Sequence, residues 1–379
     1  SVTAIDIDAG AVLTYALNGA VPAGLSFNAN GSYSFDPSVP AYQSLAAGQS
    51  TVITVPFTVT DDAGAASTAN LVITVTGTND APVAVANTGS VAENATLTAS
   101  AATGVLANDT DADAGDTLVV SAVAFGAAAG TVGSALAGTY GTLTLNADGS
   151  YSYVANQPAA EALAGGQVVT ETFAYTVRDV TGANATTTLT FTVSGTNDVP
   201  TITGPLTGTV QEDGTLTSTG TLLITDADAG QTSFFAQTAT PGTYGTFAIT
   251  AAGVWTYTLN NAAANVQALP GGAAPTETFT VVTADGTTRS VTVTVGGSND
   301  AAVISAGTGS VTEDVAVVGG NLSTGGTLTV SDVDSGQASF QPQAATAGTY
   351  GTFTLAANGT WTYTASNASS AIQNLGAGQ

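Results

Sequence analysis

The sequence predicts an all-β chain built of tandem β-sandwich domains. Three observations carry that prediction. A block of motifs recurs in fixed order along the 379 residues, segments within each block alternate polar and apolar residues with period two, and Gly-, Asn- and Asp-rich turns punctuate those segments.

The recurrence comes first because it sets the domain count. Gly77-Thr78-Asn79-Asp80, Gly195-Thr196-Asn197-Asp198 and Gly297-Ser298-Asn299-Asp300 mark successive boundaries. An acidic pair follows each one: Glu93-Asn94, Glu212-Asp213 and Glu313-Asp314. Next comes an Asp-x-Asp-x-Gly turn, at Asp6-Ile7-Asp8, Asp111-Ala112-Asp113, Asp226-Ala227-Asp228 and Asp332-Val333-Asp334. A Gly-Thr-Tyr-Gly-Thr stretch begins at Gly138, Gly242 and Gly348. Glycine-centred hairpins then lead into Tyr33, Tyr151, Trp255 and Trp361. Four copies are expected: a partial repeat over 1–80 without its opening strands, complete repeats over 81–198 and 199–300, and a partial repeat over 301–379 without its closing strands. The last stretch, 375–379, matches 45–49 and 163–167, so the sequence reads as a window onto a longer array.

Within a copy, residues 142–145, 173–177 and 188–193 alternate so that one face packs inward while Thr and Ser meet water. Short strands at such spacing indicate an immunoglobulin-like sandwich. The one helix candidate is 158–164, with Pro158 at its start and Gly165-Gly166 at its end. The second copy is the longest, through an Ala/Gly-rich stretch at 124–137 expected to form a surface loop or an extra hairpin.

Composition narrows the function classes. Asp and Glu number 27 against two basic residues, Arg178 and Arg289, for a formal net charge of -25. Such a chain repels nucleic acid and anionic lipid and attracts cations. Without Cys or His, thiolate chemistry, disulfides and the commonest general base are absent. Without Lys there is no amine for an isopeptide cross-link. No apolar run is long enough for a transmembrane helix. Paired carboxylates also serve glycosidases, but an active site needs one constellation and these recur in every repeat. The expectation is therefore a non-enzymatic chain with no nucleic-acid partner and no membrane insertion. Tyr140, Tyr244, Tyr350, Trp255 and Trp361 could stack on sugar rings; their fixed place in the repeat points instead to core packing or a turn.

The recurring acids point to calcium, which takes about six to eight oxygen ligands from carboxylates, amides and carbonyls. Each Asp-x-Asp turn offers two carboxylates on one side of a tight loop: Asp6 and Asp8, Asp111 and Asp113, Asp226 and Asp228, Asp332 and Asp334. Asn79, Asp80, Asn197, Asp198, Asn299 and Asp300 stand where one sandwich hands over to the next. Glu93, Glu212 and Glu313 follow near the first strand. Asp61, Asp179 and, two residues displaced, Asp285 occupy the loop between the last two strands. A junction gathering about four to six of these groups would repel itself without a counter-cation. The same Asp and Asn residues also suit Asx-turns and hairpins.

The ordered set GTNDAPVAVANTGSVAENATL, NDTDADAGDTL, GTYGTLTLNADGSYSY and ETFAYTVRDVTG, spanning most of 81–198 and repeated more weakly elsewhere, resembles the VCBS/cadherin-like repeats of large bacterial RTX-type surface adhesins. That resemblance implies tandem immunoglobulin/cadherin-like β-sandwich domains in an extended array, Ca2+ at the junctions, and type I secretion to the cell surface. It also implies a role as a spacer holding an adhesive module away from the cell. Partners are then neighbouring repeats of the same chain. The alternative expectation is a filament or surface-layer subunit, in which identical chains complete one another's sheets.

Overall fold

The computed structural model describes residues 1–376 and 378; residues 377 and 379, in the stretch matching 45–49, lie outside the described set. Strands dominate, and the chain divides into two compact units, residues 1–198 with 227–229 and residues 199–226 with 230–379.

The first unit contains the longest sandwich. Its five-stranded sheet runs Asn87–Ala92, Asn184–Ser194, Val168–Arg178, Val119–Phe125, Ala128–Gly130. The facing four-stranded sheet runs Ala135–Ala137, Thr142–Leu145, Tyr151–Val154, Thr96–Ala99. Alternation sends Phe173, Tyr175 and Val177 inward from one central strand and Leu189, Phe191 and Val193 from the next; all are essentially buried. Tyr153 stacks on Phe191 at 3.9 Å, and Phe173 meets both rings edge-on. Ahead of this sandwich, Thr14–Leu17, Ser50–Thr60 and Ala66–Thr76 form a three-stranded sheet, accompanied by the hairpin Leu25–Phe27 and Tyr33–Phe35.

The second unit repeats the plan. Thr207–Gln211, Thr288–Gly296 and Thr276–Val282 form one sheet, facing Thr217–Thr221, Val254–Leu259, Gly245–Ile249 and Gln237–Pro241. A further four-stranded sheet orders Asn321–Thr327, Thr360–Ser366, Thr352–Leu355 and Gln343–Ala347. Trp255 is wholly buried and donates its indole N–H to the Pro205 carbonyl at 3.0 Å. Trp361 is buried too, Tyr140 and Tyr244 pack on their cores, and Tyr350 is exposed. Core packing, not a sugar platform, accounts for both tryptophans.

The strand that leads into each glutamate pairs in an unusual direction. Asn87–Ala92 pairs parallel to Asn184–Ser194, and Thr207–Gln211 pairs parallel to Thr288–Gly296. Running alongside the last strand, each carries its Glu to the far end of its own sandwich. Glu93 N–H donates to Ser194 O, and Glu212 N–H to Gly296 O, both at 2.9 Å. The residues after these glutamates, Asn94, Asp213 and Asp314, have φ between 53° and 61°. Asn and Asp tolerate this left-handed conformation best among residues with a side chain, which explains the second member of each acidic pair.

The Gly-Thr-Tyr-Gly turn closes on a buried carboxyl. Glu171 accepts the backbone N–H of Thr139 at 2.7 Å and of Tyr140 at 3.1 Å, and the Tyr153 hydroxyl donates to its other oxygen. Glu277 does the same for Thr243, Tyr244 and Tyr257. Burial, then the partner carboxyl, pushes both tyrosine hydroxyls far above their ordinary pKa. A Cβ at Gly138 would lie 2.4 Å from a Glu171 oxygen, so the glycine is dictated by the clamp.

Single-turn helices stand at Pro158–Glu161, Ala264–Gln267 and Ser370–Gln373, each seating one apolar residue in its core. The last two escaped prediction because four residues without a leading proline carry too little signal. The stretch 124–137 supplies Ala128–Gly130, a hairpin partner of Val119–Phe125, and Ala135–Ala137, an edge of the opposite sheet.

Candidate metal centre

Three of the Asp-x-Asp loops are wound by their own first carboxylate. Asp111 accepts the N–H of Asp113 and Asp332 that of Asp334, both at 3.0 Å, and Asp6 accepts that of Asp8 at 2.8 Å. The closing glycines Gly10, Gly115, Gly230 and Gly336 all have φ between 83° and 94°, the conformation glycine reaches without strain.

The second carboxylate of the loop then ties down the preceding linker. Asp80 N–H donates to Asp113 at 2.9 Å, Asp198 N–H to Asp228 at 3.0 Å, and Asp300 N–H to Asp334 at 2.9 Å. In the same three linkers the side-chain amide of Asn79, Asn197 or Asn299 donates to the carbonyl of the Asp that follows. A third tie joins the loop to the end of the preceding single-turn segment: Ala114 N–H to Ser44 O, Ala229 N–H to Ala162 O, and Ser335 N–H to Ala268 O.

The glutamates join at the trailing end of their own repeat, not beside the linker that precedes them. Glu93 accepts the N–H and hydroxyl of Thr196 at 2.7 and 2.6 Å, and its carboxylate lies within 4.8 Å of those of Asp198 and Asp228. Glu212 accepts the Ser298 N–H at 3.0 Å and the Gln267 amide at 3.1 Å. Sequence proximity had suggested Glu93 beside Asn79 and Asp80; the parallel strand moves it to the opposite end. Glu313 is half-buried and belongs to neither carboxylate cluster found among the described residues.

The loop between the last two strands contributes differently in each repeat. Asp179 accepts three backbone N–H groups, from Thr181, Gly182 and Ala183, and the Asn79 amide at 2.8 Å. That amide, aided by the loop N–H groups, holds the carboxyl down at a pKa of about 2 against burial. In the next repeat Thr283 takes the equivalent position, and Asp285 accepts the N–H and hydroxyl of Thr287. Asp61 accepts the Ala65 N–H at 2.7 Å, while Asp6 and Asp8 are exposed.

A second tight group consists of Asp111, Asp113 and Asp116, again with carboxylate oxygens mutually within 4.8 Å. Asp116 was missed in the sequence because the other copies place Ala11, Gln231 and Gln337 there. Burial, then the charges of Asp111, Asp113 and Asp179, push its carboxyl upward. Burial, then the neighbouring Asp213 and Asp334, raises Asp300 in the same way. Glu212 is raised first by burial and then by Asp300, Asp213 and Asp334, against the Ser298 N–H.

The residues fit a hard divalent cation. One oxygen each of Glu93, Asp111, Asp113, Asp116, Asp300 and Asp334 is buried and meets no hydrogen-bond donor among the described residues. Glu93, Asp113 and Asp334 are at most 3% exposed. A buried carboxylate oxygen without a donor is costly, and several together multiply the repulsion. All the available ligands are oxygen, the donor type that calcium and magnesium prefer over softer metals.

Tandem sandwiches with acidic, hydrogen-bonded linkers define a class of modular all-β repeat. The chain belongs to the bacterial cadherin-like domain family, which matches residues 79–195, 197–297 and 299–376. Among solved structures it is similar to the EC1-4 region of PcdhgB3, with 13% identity, TM-score 0.39, and coverage of 93% of this chain and 82% of that one. For the extracellular domain of protocadherin γB4 the values are 17%, 0.41, 92% and 54%. For Drosophila N-cadherin EC1-4 they are 14%, 0.30, 94% and 84%. No curated protein matches.

Proposed function

We propose that this chain is a calcium-stiffened spacer segment of a large secreted bacterial surface adhesin of the VCBS/RTX type. The observation that carries the reading is the thrice-repeated junction. A linker N–H is fastened to the second Asp of the next loop, while buried carboxylate oxygens of Glu93, Asp113 and Asp334 face no donor among the described residues. Bound calcium would supply positive charge that 27 acids and two arginines do not provide internally. Asp80, Asp198 and Asp300 would then couple their linkers to Asp113, Asp228 and Asp334 through shared ligation as well as through hydrogen bonds. The proposed domains are 1–80, 81–198, 199–300 and 301–379, with a structural rather than catalytic role.

Extracellular calcium modules work at about 0.1–1 mM, so the joints would be loose in the cytosol and firm outside. Calorimetric titration of the chelator-treated chain should give several calcium sites in that range. Small-angle scattering should then show the largest dimension increasing on calcium addition. An unchanged dimension counts against stiffening, and regular lateral order in electron micrographs would favour the filament subunit over the spacer.

A further inference from the structure

We propose that the third repeat carries a docking edge for a second copy of this chain, formed by the outer side of Thr276–Val282 with Phe235 at its end. This edge involves none of the acidic junction residues. Thr276–Val282 is the last strand of its sheet, whereas its counterpart in the second repeat, Val168–Arg178, is flanked by Val119–Phe125 and then by Ala128–Gly130. The second repeat builds that flank from its longer connection. The third has only the bridge between Phe234 and Thr283 before its chain passes to the opposite sheet at Gln237. Val282 O accepts the Phe235 N–H, and Thr280 O accepts the Gln237 side-chain amide, both at 2.8 Å. Strand alternation puts the N–H and C=O of Thr276 and Thr278 on that same outer side, where no hydrogen-bond partner meets them among the described residues.

A groove of about 680 Å³ runs along this edge, lined by Thr276, Thr278, Phe279 and Thr280 on one side and by Gln237 and Thr240 on the other. The equivalent of Phe279 in the second repeat, Phe173, is covered by Phe125 at 4.9 Å; Phe279 lines the groove instead. Phe235 is 60% exposed. Aligned on the N–H bonds of Val120, Phe234 and Phe340 to Ala147, Ala251 and Ala357, its position holds Ser121 in the second repeat and Gln341 in the fourth. An exposed aromatic beside an open groove is the usual anchor of an interface. Charge selects the occupant. Residues 229–276 carry no charged side chain, and Glu277 is buried in its clamp. Two copies at net charge -25 repel each other over most of their surfaces, but not here. Edge strands are commonly guarded by charged side chains; this one presents Thr276, Thr278 and Thr280. About a twofold axis at Thr278, two such edges pair antiparallel with Thr276 opposite Thr280, and each Phe235 is brought toward the Thr276 end of the other copy's groove. A closed twofold contact stops at two copies, so it would tie spacers side by side.

Sedimentation of the full chain over a concentration series at physiological ionic strength, in chelator and in calcium, tests this. The expected result is a reversible dimer in both conditions, weakened about tenfold or more by Phe235→Ser through loss of the aromatic anchor. Serine is the residue of the second repeat at this position, so the fold should survive, and an unfolding curve serves as the control. Because the chain has no cysteine, Thr278→Cys supplies a lone thiol at the twofold axis. Mild oxidation should link it to its own mate. Thr292→Cys, one strand in from the edge, should not cross-link. A chain that stays monomeric in both conditions overturns the docking edge and leaves the calcium reading untouched. A dimer indifferent to Phe235→Ser, equal cross-linking of the two thiol variants, or open-ended growth in place of a dimer overturns it as well.

Discussion

Asp179 and Asp113 are both almost completely buried, yet their partners give them opposite characters. Asp179 is saturated by N–H donors and by the Asn79 amide, so it is a structural carboxylate. Asp113 gives one oxygen to the Asp80 N–H and leaves the other without a donor among the described residues. Asp179→Ala should therefore lower stability equally with and without calcium. Because its folded pKa is depressed to about 2, its contribution is present above pH about 4 and lost as pH falls through 2; the variant should lack that acid-side slope. Asp113→Asn should do the reverse. Its amide oxygen can still accept the Asp80 N–H, and removing an unpaired buried charge should leave the melting temperature in chelator unchanged or higher. The calcium-induced rise should shrink. An Asp113→Asn protein that keeps its full calcium response would remove this residue from the ligand set.

At the level of the element, the Gly-Thr-Tyr-Gly turn is a consequence of Glu171 and Glu277. Gly138→Ala would drive its methyl to 2.4 Å from the Glu171 carboxyl, loosening three hydrogen bonds. The expected cost is about 3 kcal/mol in urea unfolding, since each donor left unmet in a buried site is worth about 1 kcal/mol or more. Gly166→Ala meets open space and should cost only about 1 kcal/mol for its left-handed φ of 83°. Equal losses would refute the clamp. The sequence displayed the turn but not its cause, because Glu171 lies about thirty residues downstream and local patterning is blind to such pairs. The period-two strands, the Asp-x-Asp turns and the linker Asn-Asp pairs were legible because each depends on residues close in sequence. Where Glu93 ends was not legible: a parallel pairing with the last strand reverses the intuition that neighbours in sequence share one end of a domain. Asp116 was hidden for another reason, since an acidic residue that occurs in one copy only is invisible to a search for repetition.

For the whole molecule, the decisive quantity is the net charge of -25 held on a chain with two arginines. Two effects of added calcium must be separated. Any salt screens diffuse repulsion, with a Debye length near 10 Å at about 0.1 M, and this should stabilise the chain modestly and without saturation. Site binding saturates, and each site adds RT ln(1 + [Ca]/Kd), about 1.4 kcal/mol at tenfold excess over Kd. Screening is weak for the oxygens of Glu93, Asp113 and Asp334, which are buried and packed against like charge. Calcium chloride and sodium chloride at matched ionic strength should therefore diverge. Calcium should raise the melting temperature steeply through the millimolar range and then level off, while sodium gives a shallow, featureless rise. The difference should diminish in Glu93→Gln and Asp113→Asn and persist in Asp179→Ala. Superimposable curves for the two salts would mean that the acidic junctions are only a screened surface, and the proposed spacer role would lose its ion-controlled stiffness.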